Sequence, residues 1–275
     1  MTHVKVPPVL SQFADALIAK QRPFVRIEAT PLDAPLDRDP LELHQSKFLG
    51  SPFIPEDAEY PKDTDGNPLI LLVQINFAEA PDLDGFPSEG MLQVFFNPNE
   101  WSESVVGWDS RSNAGKIVYL SAADLQKTPR TTFPVIDPEA YAELPIESIH
   151  SLTFEKSIDT GNSEDFQFAF DFGELDYWEF EESLSEADGK AFKSYFSRDD
   201  GHKLGGYAYF TQGDIREYEG QEDYDLVRQN DVQLLQLDSD EEMMFGDSGV
   251  GHVFISPEAL ADRDFSKAYF YWDCC

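Results

Sequence analysis

The chain of 275 residues carries 20 Lys and Arg against 53 Asp and Glu, which gives a formal net charge of −33 at pH 7. So few cations argue against nucleic acid and anionic lipid as general partners, because both are bound through Lys and Arg. A disordered acidic chain is excluded by the 41% of hydrophobic residues, among them 22 Phe and 11 Tyr, which supply ample surface for a core.

The first predicted element is an amphipathic helix near the N-terminus. Leu10, Phe13 and Leu17 recur at helical spacing, and Pro23 ends the run. The pattern then predicts strands at residues 24–28, 69–77, 91–96, 116–120, 151–155, 166–172, 206–211, 232–237, 252–255 and 268–272. In the segment 166–172, Phe occupies every second position, which predicts a strand with one buried face.

Short helices are predicted between these strands, each preceded by a residue that can cap it. The capping residues are Ser121, Asp137, Ser185 and Ser256. Most gaps between strands hold no helix of ten residues, so parallel βαβ winding is not expected. The sequence therefore predicts an α+β fold dominated by antiparallel β-sheet.

Two parts of the chain are similar to each other. GMLQVFFNP at residues 90–98 matches GVGHVFISP at 249–257, and each follows a strand with a glutamine, Gln74 or Gln236. SKFLGSP lies upstream of the first pair and HKLGGYA upstream of the second. This order predicts an internal duplication into two similar β-rich halves, residues 1–145 with the leading helix and residues 146–275. A second pairing, of residues 118–125 with 253–260, leaves the register of the repeat open.

The same motifs resemble those of the YwqG-like family, also known as DUF1963. The resemblance rests on SKFLGSPFIP and DGNPLILLVQINF in the first half, and on HKLGGYAYFTQGD and VQLLQLDSDEEMMFGDSGVGHVFI in the second. Phe245 and Ala208 stand where relatives usually have Trp and Pro. The resemblance implies one unit over most of the chain, a bacterial cytoplasmic protein and a sheet-dominated fold of undetermined activity. It also implies an immunity role, because many relatives sit beside toxin systems.

An acidic loop follows the strand at residues 232–237 and contains Asp238, Asp240 and Asp247. Oxygen clusters of this kind bind hard cations. The calcium-loop template fails here, because it requires glycine at its sixth position and glutamate at its twelfth. We favour a turn in which these side chains bond their own backbone over a metal site. The chain carries no recognisable phosphate loop, nucleophile elbow or dinucleotide fingerprint, so we assign no catalytic residue and no cofactor.

Charge is the strongest remaining signal. Residues 159–188 hold eleven acidic residues and no Lys or Arg, and aromatic residues interrupt the run in ELDYWEFEE. A solvated surface would explain the charge alone, but aromatic anchors inside a polar rim are typical of binding hot spots. The leading hypothesis is a non-enzymatic binding protein, an immunity or inhibitor protein that uses this face against a basic effector. The residues proposed for the face are Asp176, Tyr177, Trp178, Glu179, Glu181 and Glu182.

The alternative hypothesis is a small-molecule or carbohydrate binder, or an enzyme, with a cleft between the two halves. The candidate cleft residues are Gln74, Gln236, Tyr207, Trp178 and His202. A structural role competes with this hypothesis, because two buried glutamines can satisfy backbone groups inside a sheet.

The expected compartment is the cytoplasm. The N-terminal residues lack the pattern of a secretory signal, and the chain has no apolar run long enough to span a membrane. The two cysteines, Cys274 and Cys275, are adjacent, so they cannot close a loop of the chain and are expected to be reduced thiols.

Overall fold

The computed structural model describes residues 3–100, 107–142, 144–196, 201–220 and 227–274; Cys275 lies outside them. Its main element is one sheet of eleven strands. The strands are β1 (Arg22–Pro31), β2 (Lys47–Phe48), β3 (Ile70–Asn76), β4 (Met91–Phe96), β5 (Gly107–Asp109), β6 (Gly115–Leu120), β7 (His150–Asp159), β8 (Lys203–Gly205), β9 (Val232–Asp238), β10 (Val250–Ile255) and β11 (Tyr269–Asp273). The α-helices in the described residues are α1 (Ala14–Lys20), α2 (Tyr177–Ser183), α3 (Glu186–Tyr195) and α4 (Pro257–Asp262).

The sheet curls until its two edges nearly meet. Its strand order is β5-β11-β10-β9-β8-β1-β7-β2-β3-β4-β6, and every pair of neighbours is antiparallel. The edge strands β5 and β6 are separated in sequence only by residues 110–114. Phe96 on β4 and Phe270 on β11 have ring centroids 5.0 Å apart, although seven strands lie between β4 and β11 in the strand order. The prediction of a fold dominated by antiparallel sheet, with few short helices, is confirmed.

The centre of the sheet is built from both halves of the chain. β1 pairs along its whole length with β7, from Arg22 opposite Asp159 to Pro31 opposite His150. β1 also pairs with β8, and β7 also pairs with β2. The first strand of each half therefore lies between two strands of the other half, and the halves share one sheet.

The strands β4 and β10 are buried along their whole length, as is nearly all of β3. Their inner faces form the main core inside the curled sheet, where Phe48, Leu92 and Phe270 lie. Loops cover the outer faces. Ile54 and Tyr60 cover Phe95 on β4, while Phe210 and Ile215 cover Phe254 on β10; each set forms a small core of its own. Burial on both faces explains why these strands are almost continuously apolar.

A separate helical layer is formed by α1, which precedes β1, and by α2 and α3, which follow β7 in the chain. Residues of α1, α2 and α3 pack with Phe168 and Phe172 in an aromatic cluster. The helix α2 begins with a capping box in which Asp176 and Glu179 bond each other's backbone N–H, and Ser185 caps α3. These caps fix two short helices that lack the length to be stable alone.

Two of the predicted strands are wrong. Residues 166–168 form a 3₁₀ turn capped by Asp165, and their alternating Phe rings enter the helical cluster from an irregular segment. In residues 206–211, four backbone N–H groups bond side chains instead of a neighbouring strand. The pairs are Tyr207 with Asp159, Ala208 with Asp165, Tyr209 with Gln236, and Thr211 with Asp273. The other predicted strands lie within observed strands or overlap them.

Within the described ranges, no helix combines the length and the apolar character needed to cross a bilayer.

His252 on β10 is fully buried, with its ring 4.7 Å from Phe210 and its Nδ1 3.0 Å from the amide oxygen of Gln233. Burial holds the pKa of His252 well below its ordinary value. In the unfolded chain the imidazole binds a proton near pH 6.5, so below that pH the unfolded state holds more protons than the folded state. The free energy of unfolding therefore decreases as the pH falls from 7 to 5.

We predict that His252→Gln reduces this pH dependence, since each such histidine contributes up to about 1.4 kcal/mol per pH unit below 6.5. Glutamine suits the position, because Gln93 occupies the matching place opposite Gln74 while His252 lies opposite Gln236. The measurement is the free energy of unfolding in urea at pH 5, 6 and 7. His3→Gln, at an exposed histidine, is the control. An unchanged slope in His252→Gln would contradict the prediction.

Candidate functional site

Gln74 and Gln236 hold corresponding loops against the sheet. Gln74 is opposite Lys47 in the β2–β3 pair, and Gln236 is opposite Lys203 in the β8–β9 pair. The amide oxygen of Gln74 accepts the N–H of Phe53 at 2.9 Å, and that of Gln236 accepts the N–H of Tyr209 at 3.0 Å. Their amide nitrogens donate to backbone carbonyls just before each lysine, those of Gln45 and Gly201. Both side chains are fully buried and form hydrogen bonds with backbone groups.

A buried ion pair accompanies each glutamine. Lys47 Nζ lies 2.7 Å from Asp39, and Lys203 Nζ lies 3.3 Å from Asp159. Each carboxylate also accepts a backbone N–H four residues after its lysine, from Ser51 at 2.8 Å and from Tyr207 at 2.9 Å. Burial lowers the pKa of Lys47, and the hydrogen bond to Asp39 opposes that shift.

Glycine is required in both of these turns. Gly50 and Gly206 have φ of 81° and 76°, in the left-handed region. A Cβ atom on Gly50 would lie 2.5 Å from a carboxylate oxygen of Asp39, and one on Gly206 would lie 2.8 Å from an oxygen of Asp159. The glycines thus let each carboxylate reach the backbone of its turn.

A polar pocket of about 210 Å³ surrounds His202 and is lined by Arg26, Glu28, Asp238 and Asp240, among others. The Nδ1 atom of His202 accepts the N–H of Asp238 at 3.1 Å, so Nε2 carries the proton and donates to Asp240 at 3.2 Å. This bond from His202 is the largest cause that lowers the pKa of Asp240 to about 2. Both imidazole nitrogens are therefore engaged within the protein.

The acidic loop uses its carboxylates in the same way. Asp240 accepts the N–H groups of Glu242 and Met243, both at 2.8 Å. Asp238 accepts those of Gly201 and Ser239, at 2.6 and 2.8 Å. Asp247 is exposed and does not line the pocket. Within the described ranges, no three His, Cys, Asp or Glu side chains are grouped so that they could hold a metal ion.

A groove of about 300 Å³ lies beside α2 and α3. It is lined by Asn162, Ser163, Tyr177, Trp178, Glu181, Lys193 and Phe196. The Trp178 side chain is 54% exposed, and its ring stands on that of Tyr177 with centroids 5.2 Å apart. Lys193 Nζ binds Glu181 at 2.8 Å on the same wall. Asp176, which caps α2, and Glu179 and Glu182 within it are exposed. We call this surface, with the groove at its centre, the α2 face.

The structure separates the residues that were predicted to share one cleft. Trp178 lies in the groove of the α2 face, and His202 lies in the polar pocket. Tyr207 is fully buried, and its hydroxyl donates to the carbonyl of Lys20 at 2.7 Å, while burial raises its pKa to about 12. With Gln74 and Gln236 also buried, the predicted five-residue cleft between the halves is not formed, because three of its members bond the chain itself.

Of the residues proposed for the face, Tyr177, Trp178 and Glu181 line this groove, and Asn162, Ser163 and Lys193, which also line it, were missed. The helix α2 had a readable signal, since Asp176 followed three residues later by Glu179 is the spacing of a capping box. The return of residues 162–163 to the same groove depends on the irregular path after β7, which has no local sequence signal.

The fold and the site define a class: a single curled antiparallel sheet shared by two halves of one chain, with an acidic, aromatic helical face on one side. The chain belongs to the family described as Domain of unknown function (DUF1963), whose model matches residues 46–274. The resemblance to that family is thus confirmed. A comparison with curated proteins found no match.

We predict that Gln236→Ala destabilises the protein by about 2–4 kcal/mol. The change leaves the N–H of Tyr209 and the carbonyl of Gly201 without this partner and opens a cavity. Gln74→Ala should have a similar effect, and Gln126→Ala, at an exposed glutamine, should have little. Chemical denaturation measures all three. Equal stability of Gln236→Ala and the native chain would reopen a ligand-binding role for this glutamine.

We also predict that micromolar calcium raises the melting temperature no more than sodium chloride of equal ionic strength. Salt should stabilise generally, because it screens the repulsion within a chain of charge −33. Calcium should add nothing, since the oxygens of Asp238 and Asp240 already accept bonds from the protein. Stabilisation by micromolar calcium that Asp240→Asn abolishes would identify the loop as a metal site.

Proposed function

We propose that the protein is a non-enzymatic binding protein of the bacterial cytoplasm, an immunity or inhibitor protein whose α2 face binds and occludes a basic effector protein. The observation that carries the proposal is Trp178, a large aromatic residue that is 54% exposed on the same short helix as the exposed carboxylates of Glu179 and Glu182. Exposed aromatic anchors within a polar rim are the usual composition of interface hot spots.

The charge of the chain supports a basic partner. The net charge of −33 attracts cations over long distances, and the α2 face concentrates acids beside its aromatic groove. Complementary charge accelerates encounter and selects among partners. The same negative charge disfavours nucleic acid and anionic membranes as ligands, because both are negatively charged themselves. The suggested immunity role of similar proteins beside toxin systems points in the same direction.

A small-molecule or carbohydrate ligand is the second candidate function. Its support is the groove itself, which is lined by three aromatic residues, Tyr177, Trp178 and Phe196, and by the polar residues Asn162 and Ser163. A volume of about 300 Å³ is at the lower end of small-molecule pockets. This ligand would occupy the α2 face and not a cleft between the halves.

We further propose that residues 1–145 and 146–275 are two copies of one ancestral unit, with their boundary near Pro145. The strand order supports this origin, because β8, β9, β10 and β11 follow one another outward from β1 as β2, β3, β4 and β6 follow outward from β7. The β3–β4 and β9–β10 ladders each shift register once, and the shifts leave out Leu72 and Leu234 at matching places.

The bonds of the two halves also correspond, since Lys47, Asp39 and Gln74 repeat in Lys203, Asp159 and Gln236. One matching pair differs in chemistry. The N–H of Asn76 at the end of β3 donates to the hydroxyl of Ser46, and the N–H of Asp238 at the end of β9 donates to His202. The same backbone N–H is thus bonded in both halves, but by a serine in one and a histidine in the other. We expect such a difference if a duplicated unit has diverged in sequence.

We predict that reversing two charges of the α2 face, in the double variant Glu181→Lys and Glu182→Lys, weakens binding of the basic effector by about tenfold or more, because attraction becomes repulsion. The matched control is Asp84→Lys with Glu89→Lys, which changes the net charge equally at exposed acids between β3 and β4. The assay is capture of basic proteins from the native organism, followed by affinity measurement on the protein retained at low salt and released near 0.5 M salt.

Equal loss of affinity in both double variants would show that net charge acts without the α2 face. Recovery of no specific partner, or of one insensitive to salt, would contradict the proposed function.

A further inference from the structure

The groove of the α2 face already holds one cation of the protein itself. Lys193 on α3 reaches across to Glu181 on α2, with its Nζ 2.8 Å from the carboxylate. The Glu181 side chain is only 19% exposed, whereas that of Lys193 is 66% exposed. The carboxylate is thus partly sheltered in the groove wall, and the cation that binds it comes from the solvent side.

Such a pair exchanges easily. Ion pairs with an exposed member contribute little to stability, because water and salt screen them and the long lysine chain loses freedom. A cation from another molecule can replace Lys193 at Glu181 without disturbing the core beneath, where Phe180 and Phe192 lie.

The groove also offers an aromatic wall beside this carboxylate. Trp178 lies three residues before Glu181 on α2, so the two side chains share one face of the helix. The Trp178 and Tyr177 rings meet edge to face, with an interplanar angle of 74°. A cation at Glu181 therefore lies beside aromatic rings, which attract cations through their negative faces.

We infer that the groove is a receptor for an arginine side chain of the partner, which stacks on Trp178 and replaces Lys193 at Glu181. Arginine suits the site better than lysine, because its planar guanidinium stacks on aromatic rings and presents two parallel N–H donors to a carboxylate. This inference rests on the proposed function and names the chemical group that the α2 face selects.

The test uses the full chain and three synthetic peptides of the form Gly-Xaa-Gly-Xaa-Gly-Xaa-Gly, in which Xaa is arginine, lysine or citrulline. Citrulline keeps the planar shape of arginine and removes its charge. Nuclear magnetic resonance of the tryptophan indole N–H groups reports on the site. The chain has 4 Trp, and the signal absent from Trp178→Phe identifies Trp178.

We expect the arginine peptide to move the Trp178 signal, the lysine peptide to bind several-fold more weakly, and the citrulline peptide to have no effect. Glu181→Gln should weaken arginine binding by about tenfold, which is the usual scale for losing one charged partner. Glu174→Gln is the matched control, since it removes the same charge from an exposed position that does not line the groove.

Three results would overturn the inference: equal binding of the arginine and lysine peptides, an unmoved Trp178 signal, or equal effects of Glu181→Gln and Glu174→Gln. If the native effector still binds in a salt-dependent manner in any of these cases, the proposed function stands and only the arginine site fails. If the effector assay also finds no salt-dependent partner, the proposed function fails with it. A shift of the Trp178 signal by a simple sugar, and not by the peptides, would favour the carbohydrate alternative.

Discussion

The pairing of β1 with β7 is the contact on which the rest of the structure depends. It is the longest ladder of the sheet, and it joins the first strand of one half to the first strand of the other. Each of these strands also pairs with a short strand of the opposite half, β1 with β8 and β7 with β2. Neither half can therefore complete its part of the sheet alone, because separation would expose two long unpaired strand edges.

The short strands β2 and β8 form few backbone hydrogen bonds, and polar side chains supply further hydrogen bonds to the backbone beside them. After each of them the chain leaves the sheet, and several N–H groups that follow, those of Ser51, Phe53, Tyr207 and Tyr209, bond side chains and not a neighbouring strand. Gln74 and Gln236, with the carboxylates of Asp39 and Asp159, accept those N–H groups from within the core. Burying a charge is costly unless it is paired, and Lys47 and Lys203 supply the pairing. The buried ions are thus part of how two irregular turns are satisfied.

Much of the fold was predictable, because it depends on local pattern. The strands that became β3, β4, β9 and β10 are runs of apolar residues bounded by turn residues, and the caps Ser185 and Ser256 begin real helices. The failures lie where tertiary contacts replace local ones. Residues 166–172 alternate as a strand would, yet their rings pack against α2 and α3. Residues 206–211 are apolar enough for a strand, but distant carboxylates and Gln236 take their N–H groups.

In the candidate site, too, the features that depend on local sequence were predictable and those that depend on tertiary contacts were not. Trp178 and its acidic neighbours lie on one short helix, so their spacing in sequence describes their spacing in space. Gln74 and Gln236 were assigned to a cleft because they occupy equivalent places in the two similar parts of the chain, with Tyr207 as a wall, yet all three side chains are fully buried. The pattern identified positions of constraint, but it could not distinguish constraint by a ligand from constraint by the chain.

The two halves differ most in the segment that joins the first strand of each half to the second. Between β1 and β2 the chain needs only residues 32–46, whereas between β7 and β8 it runs through residues 160–202, a segment that includes α2 and α3. Where the halves correspond, as at Gln74 and Gln236, the polar side chains bond backbone and are fully buried. The longer segment instead leaves Trp178 exposed and holds acids without any Lys or Arg up to residue 188. Trp178 and its acidic neighbours on α2 lie outside the strands of the sheet, which is why the binding function is proposed for this segment.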